Sequence, residues 1–548
     1  MSVTVVWKTY QPETIARGYW DQGMVEDLFA GRWNVPHFRT FNHVEDFSEV
    51  PPGEGAVVVL PARHNAGHID KLNHDLRKLG WVVLILTGDE ESAFDWTAVE
   101  HKNLRMWLMS PKPGLHPQEI RMQYLGSGYP PQAREHLRNT YDVPRDKAFF
   151  FSGQDTHARR HECLEVLGEY AGQVANATEG FTQGLPHNEY YEGLAGAMLA
   201  PCPSGPVSVD SFRLYEALEA GCVPVADAKT PNVEMRDHWK MVFGEDPKFP
   251  IVDEWTDFRD LMDADYSWKK NGNRMGSWWE KKKRDLALRL NSDLDWVGAP
   301  GGPPSMRDII SAVMVTSPIA SHPSLDIIQE TLNSVRSRLP DSEIFILCDG
   351  VRPEQEPYTD RYNEYVSRLL WKARNEWSNV YPVVYDSHKH QAAMVIEFLH
   401  RETIKTPLML FMEHDTPLVG EIPWEVCADF IQEEQTDLIR FHHEAVVPDE
   451  HWYLYPDGKE PIEWGGVPFI RTTQWSQRPH LASVTFYQKI LEKNFSPFSR
   501  TMIEDTMHGA AQDPDFEGTL YIYYPSGDCK RSTHTDGRGN DPKYEMVT

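Results

Sequence analysis

Short, wholly apolar runs separated by stretches of helical period organise the first three hundred residues. Ala56-Val-Val-Val-Leu60 has no polar position, the pattern of a parallel strand buried on both faces. Ile69, Leu72, Leu76 and Leu79 follow at helical spacing, with Gly80 where a helix C-cap glycine belongs. Trp81-Val-Val-Leu-Ile-Leu86 is the next apolar run, so the three segments make a βαβ unit. The pattern restarts at Lys147-Ala-Phe-Phe-Phe151 and continues through Met198-Leu-Ala200 and Cys222-Val-Pro-Val225. This predicts two successive Rossmann-like halves, residues 1–140 and 141–297.

Gly298-Ala-Pro-Gly-Gly-Pro-Pro304 has almost no helix or strand former and reads as a linker. Beyond it the pattern begins again with an apolar strand over 309–315. A helix follows with Leu325, Ile328, Leu332 and Val335 on one face, then the strands Ile344-Phe-Ile-Leu347 and Leu408-Met-Leu-Phe-Met412. The fold class is therefore α/β throughout, with a pair of Rossmann-like domains followed by a single α/β domain over 305–548.

Composition narrows the choice of partner. With 548 residues the chain exceeds one compact domain, and its 40% apolar content is enough for real cores. A formal net charge of −28 argues against a polyanion as main ligand, so a nucleic-acid partner would need a local basic groove. The one basic run, Lys281-Lys-Lys-Arg284, reads as the solvated face of a helix. The 18 Trp and 22 Tyr lean toward carbohydrate, on whose rings aromatic faces stack. Six cysteines without a CxxC, mostly in strand-like segments, read as reduced buried thiols. No apolar run has the length of a membrane span, and the start of the chain has no signal-type apolar core, which points to a cytoplasmic protein.

Candidate chemistry gathers at strand ends. Glu413 and Asp415 follow the strand ending at Met412, and Asp349 follows the one ending at Leu347. Ligands of open α/β sheets bind outside the carboxyl ends of the strands. Two carboxylates one residue apart can share a divalent cation, Mn2+ or Mg2+, that neutralises a diphosphate. Trp464-Gly465-Gly466 offers a backbone that a substrate can approach, Glu504-Asp505 a carboxylate pair suited to a general base, and His534 a late imidazole able to complete a metal shell. His442, His443 and Glu444 lack the spacing of a helical metal site and receive no role.

This order resembles that of the glycosyltransferase A fold, over roughly 309–540. The resemblance makes Asp349 the nucleoside contact and Glu413-His414-Asp415 the D-x-D motif, with Glu in place of its first Asp. It also implies Gly465-Gly466 as acceptor-side loop, Asp505 beside Glu504 as catalytic base, and His534 as metal ligand with Asp415 and Glu413.

In the first part, the string from Asp210 to Val225 carries an arginine, Arg213, in the first turn of a helix and a carboxylate, Glu216, one turn later. Asp210 or Ser211 would cap that helix and Gly221 end it. The string resembles the exostosin family, whose glycosyltransferase B domain has a similar run, and the likeness covers about 147–230. It implies that Arg213 and Glu216 hold a nucleotide-sugar without a metal. Eukaryotic exostosins are membrane-anchored; the missing anchor points to a bacterial or viral relative.

The resulting expectation is a two-module glycosyltransferase that moves sugar from a nucleotide-sugar to a glycan, protein or other hydroxyl acceptor. Its rivals are a single-activity transferase with one binding module, a phage-type DNA glycosyltransferase and a non-enzymatic carbohydrate-binding scaffold.

Overall fold

The computed structural model describes residues 3–11, 21–30, 38–44, 47, 50–51, 53–89, 93–109, 122–170, 174–178, 180, 184–264, 268–299, 305–401 and 404–535. Residues 300–304 of the expected linker lie outside them. The chain divides into two compact units, Met1–Pro303 with Arg374–Glu376, and Pro304–Ala373 with Trp377–Thr548.

The first unit holds two parallel sheets. One consists, among the described residues, of β1 (Val3–Lys8), β2 (Phe38–Val44), β3 (Ala56–Pro61), β4 (Val82–Thr87), β5 (Leu104–Leu108) and β6 (Met122–Tyr124), in the order β2-β1-β3-β4-β5-β6. The other consists of β7 (Lys147–Gln154), β8 (Val174–Thr178), β9 (Ala197–Cys202), β10 (Val223–Asp227) and β11 (Ile251–Val252), in the order β11-β10-β9-β7-β8. All the described pairings in both are parallel. Residues of β3 and β4 are wholly buried, which is why they read as unbroken apolar runs. The helix between them, α1 (Ile69–Leu76), stops before Leu79, so Gly80 is not its cap. Gly80 is instead required by close packing: a Cβ there would stand 2.3 Å from the Gly53 carbonyl oxygen.

The Asp210–Val225 string forms α2 (Phe212–Glu219) between β9 and β10. Ser211 is its N-cap residue but makes no side-chain cap bond, and Gly221 takes the left-handed conformation just past the helix end, φ 73°. The unit closes with a 30-residue helix, α3 (Trp268–Val297). The expectation of a solvated basic run fails here. Lys282, Lys283 and Arg284 are all buried, and carboxylates receive the two lysines. Lys283 Nζ lies 2.8 Å from Glu219 and 3.0 Å from Glu280, and Lys282 Nζ 2.9 Å from Glu245. Only Lys281 is turned to solvent, paired with Asp285.

The second unit is built on one mixed sheet. Its strands among the described residues are β12 (Ile310–Thr316), β13 (Ile344–Cys348), β14 (Val380–Val384), β15 (Leu408–Glu413), β16 (Leu438–Arg440), β17 (Ile462–Trp464), β18 (Val467–Thr472), β19 (His480–Ser483) and β20 (Leu520–Tyr523). They run in the order β14-β13-β12-β15-β19-β16-β20-β18-β17. The first four are parallel to one another; antiparallel pairing begins at β15 and β19. Helices α4 (Asp326–Arg336), α5 (His390–His400) and α6 (Ile503–Ala510) cover it, and apolar clusters lie on both faces of the sheet. All six cysteines are buried and free. Among the described residues no helix is long and apolar enough to cross a membrane.

The Lys283–Glu219 pair carries a testable consequence. Burial alone would raise the Glu219 carboxyl, but Lys283 and neighbouring arginines bring it down to about 2. Lys283→Met should cost about 3–5 kcal/mol in urea unfolding at neutral pH, because it strands a buried carboxylate. A depressed carboxyl stabilises above its unfolded value and loses that gain as pH falls. The gap between the two proteins should therefore shrink from about pH 4.5 toward pH 2.

Candidate functional site

In the second unit β12 has β13 on one side and β15 on the other, so the strand order reverses beside it. A crevice opens outside the carboxyl ends of strands at such a switch point. The cavity found there is lined by Thr316, Asp349, Arg352, His390, Gln391, Glu413, Asp415 and His534, among others. Glu413, Asp415 and His534 each present a ligand atom within 4.8 Å of one another. Asp415 Oδ2 lies 3.5 Å from His534 Nε2, while Asp415 Oδ1 and His534 Nδ1 are buried without hydrogen-bond partners. Two carboxylates and an imidazole form an O2N donor set suited to Mn2+ or Mg2+, and the unpartnered oxygen and nitrogen are what a ligand shell leaves open. The residues present fit a divalent cation.

Chain return brings His534 to this place. Thr535 donates from its backbone N (2.9 Å) and Oγ1 (3.2 Å) to the Asp415 carbonyl, and Thr533 N donates to Pro417 O at 3.0 Å. Ser532 bridges Leu418.

Asp349 is buried at the end of β13 and is engaged by its own chain. Its Oδ1 accepts from Gly350 N (2.8 Å) and Lys389 N (2.7 Å), and its Oδ2 from His390 N (3.0 Å). His388 Nδ1 stands 2.9 Å from the same Oδ2. Only glycine fits at 350: a Cβ there would lie 2.1 Å from the Ser387 carbonyl carbon and 2.2 Å from His388 N. The close approach lets the 388–390 segment reach the carboxylate. The bonds also hold His390 in the left-handed region, φ 65°, at the start of α5, a conformation that costs a β-carbon residue about 1–3 kcal/mol. Burial, with Arg352 next, holds the His390 imidazole below its usual range.

Gln391 joins the two sides of the cavity. Its Nε2 donates to Glu413 Oε1 at 3.4 Å, and its Oε1 accepts from Ile503 N at 2.9 Å and from Gln477 Nε2. Gln477 N in turn donates to Glu504 Oε2 at 3.1 Å. Asp505, exposed in the first turn of α6, accepts from Thr501 Oγ1 at 3.3 Å. Neither Glu504 nor Asp505 lines the cavity, although Met502 does. Gly465 and Gly466 lie apart from that lining. They are the two central residues of the β17–β18 hairpin, φ 55° and 77°, the positive-φ pair of a type I′ turn.

Arg352, His390, Gln391 and Gln477 were not singled out in the sequence. The one available signal was the polar run His388-Lys389-His390-Gln391 shortly after an apolar strand.

In the first unit, the order β8-β7-β9 gives a second switch point between β7 and β9. Arg213 is buried there, its guanidinium 4.6 Å from the Phe151 ring and its Nη2 donating to Ser152 O at 2.9 Å. Its Nε and Nη1 have no hydrogen-bond partner. Glu216 is a core group, contrary to the expectation of a crevice-facing side chain. It accepts from Tyr190 OH (2.8 Å) and Tyr191 OH (2.7 Å), and burial pushes its carboxyl up despite them.

No protein-family model matches the sequence, and no curated protein does, so the exostosin likeness stays confined to one strand–helix–strand segment. Solved structures that overlay on part of the chain include TarS 1–349 of S. aureus, at 15% identity over 42% of this chain and 60% of that one, TM-score 0.28. GalNAc-T7 with UDP, GalNAc and Mn2+ overlays at 13% identity over 43% of this chain and 45% of that one, TM-score 0.30. Both are glycosyltransferases. The chain spans less than two thirds of each, and at these scores the overlays carry no argument. The fold is α/β with parallel sheets, and its clearest site is a divalent-cation-type cluster at a sheet switch point.

Asp349 and Glu216 give matched predictions. Asp349→Ala should cost about 1–3 kcal/mol in stability by freeing three backbone N–H groups, one of them that of the strained His390. Glu216→Ala should cost at least about 2 kcal/mol, since two buried tyrosine hydroxyls lose their acceptor. Chemical denaturation of each variant against the parent protein measures both.

Proposed function

We propose that the protein is a glycosyltransferase using a nucleotide-sugar donor, with a glycosyltransferase B-like module over 1–297, in halves 1–140 and 141–297, and a glycosyltransferase A-like module over 305–548. The observation that carries the reading is the convergence of Glu413, Asp415 and His534 on one cation-sized space at the β12–β15 switch point. A divalent cation held by these three residues would neutralise the diphosphate of the departing nucleotide. Arg352, lining the same cavity, offers a fixed positive charge to that diphosphate. Thr316 and the Asp349-bound turn at 388–390 shape the floor against which the nucleoside packs.

Asp505, on the first turn of α6 and open to solvent, takes the proton of an acceptor hydroxyl. That oxygen attacks the anomeric carbon from the face opposite the leaving nucleoside diphosphate, so the configuration inverts. Glu504 holds Gln477, and through it Gln391 and Glu413, and in this reading serves as a positioning residue beside the base. In the first module Arg213, with two donors unpartnered at the β7–β9 switch point, is the group to which a donor phosphate binds. Glu216 supports it by fixing Tyr190 and Tyr191 beneath the site.

The test is a screen of nucleotide-sugars for donor hydrolysis and transfer, with Mn2+ and with EDTA. EDTA should abolish turnover by the second module. Asp415→Ala should lower kcat on the order of 10³-fold while leaving the unfolding midpoint unchanged. Full activity in EDTA overturns the reading. If instead no donor is turned over but nucleotide still binds, the scaffold reading takes its place.

A further inference from the structure

β15, β19 and β16 lie side by side, with Phe411 opposite His480 and His480 opposite Arg440. Beyond these paired positions come Glu413, the last residue of β15, and Arg478 and His442, just outside β19 and β16, where Phe441 N donates to Pro479 O at 2.9 Å. The face that carries Phe411 is the one covered by α6: Leu438, two residues before Arg440, packs in the same apolar cluster as Phe411, Ile503 and Met507. Gln477, the neighbour of Arg478, is bonded to Glu504 of the same helix, so this stretch lies between Glu413 and α6.

Arg440 is the anomaly here. It is 3% exposed, and arginines so buried are normally paired with a carboxylate. Arg440 is not. Its Nη1 donates to Gln474 Oε1 at 2.8 Å, its Nε and Nη2 make no well-formed hydrogen bond, and the polar group beside them is the uncharged Tyr455 hydroxyl. Among the described residues no carboxylate comes within 4.0 Å of Arg440 or of Arg478; Glu504 is nearby but bonded to Gln477 N. Burial, then Arg440 and His443, holds His442 down at about 3, and burial, then Arg478, Arg440, Lys530 and His534, holds His443 at about 4. In a chain of net charge −28, two arginines thus come close together with no carboxylate paired to either among the described residues. A buried charge left without a counter-charge is costly unless a ligand supplies one.

We propose that Arg440 and Arg478, with Lys530 at the rim, form a subsite for an anionic group on the acceptor, a phosphate ester or a carboxylate. The subsite lies on the Asp505 side of the cation cluster, so it would hold the acceptor with its hydroxyl toward the base. The acceptor assignment rests on the glycosyltransferase reading; the anion site itself does not.

The experiment uses the full chain without any nucleotide-sugar and measures its melting temperature against glycerol 3-phosphate and against glucuronate, at matched ionic strength in chloride. One of the two should raise the midpoint by about 2 °C or more near saturation, which tells phosphate from carboxylate. Asp415→Asn and EDTA should leave that response intact, whereas Arg478→Gln should remove most of it. Arg440→Met should also abolish it, and without ligand should melt no lower than the parent, since an unpaired buried charge is removed. No response to either anion, or a full response in Arg478→Gln, overturns the proposal. So does an Arg440→Met protein that is destabilised yet keeps its response. Anion binding in a protein that turns over no donor would fail the transferase reading and leave this site standing.

Discussion

The candidate active site depends on one return of the chain. Three hydrogen bonds tie Thr533 and Thr535 to the backbone carbonyls of Asp415 and Pro417, and they set His534 against Asp415. Without that return the end of β15 would present two carboxylates with no nitrogen ligand between them and solvent. With it, the carboxylate pair gains an imidazole and a closed side, and a turn rich in acid becomes a donor set able to hold a cation. The roles proposed for the second unit, a diphosphate contact at Arg352 among them, are built around that group.

The opposite wall is fixed by a different device. Asp349 spends its carboxylate on the chain itself, gripping Lys389 and His390 while Gly350 lets the backbone pass. This turns an acidic strand end into a rigid floor and places Gln391 where it can join Glu413 to Gln477 and Glu504. Polar networks of this kind are favourable only when every member is satisfied. Asp415 Oδ1, His534 Nδ1 and the Arg440 Nε and Nη2 are among the buried groups left without a partner, and the proposed ligands would meet them there.

The fold was legible where burial is two-sided. β3, β4, β13 and β15 are fully or almost fully buried, and their apolar runs place them to within a residue. It was not legible where long-range partners decide. The basic run of α3 reads as a solvated face because Glu219 and Glu280 meet Lys283 only in the folded unit. The antiparallel half of the second sheet, with strands as short as Leu438–Arg440, gives no periodic signal. In the site, Glu413 and Asp415 stand out because a strand end announces them. Glu216 shows the limit: its helix position suggests an open crevice, yet two tyrosines from a preceding helix enclose it. The Gly465-Gly466 pair likewise meets the demand of a two-residue hairpin, which sequence alone does not separate from a substrate loop.

The central claim is that Glu413, Asp415 and His534 act together as one divalent-cation site. The most direct test is a Mn2+ titration of the purified full chain followed by electron paramagnetic resonance, in which bound Mn2+ leaves the free-ion signal. The account predicts that His534→Ala and Asp415→Asn each weaken a site that binds one ion per chain in the parent protein by about tenfold or more, with folding intact by circular dichroism. Undiminished binding in both variants, or a parent protein that takes up no Mn2+, would contradict it.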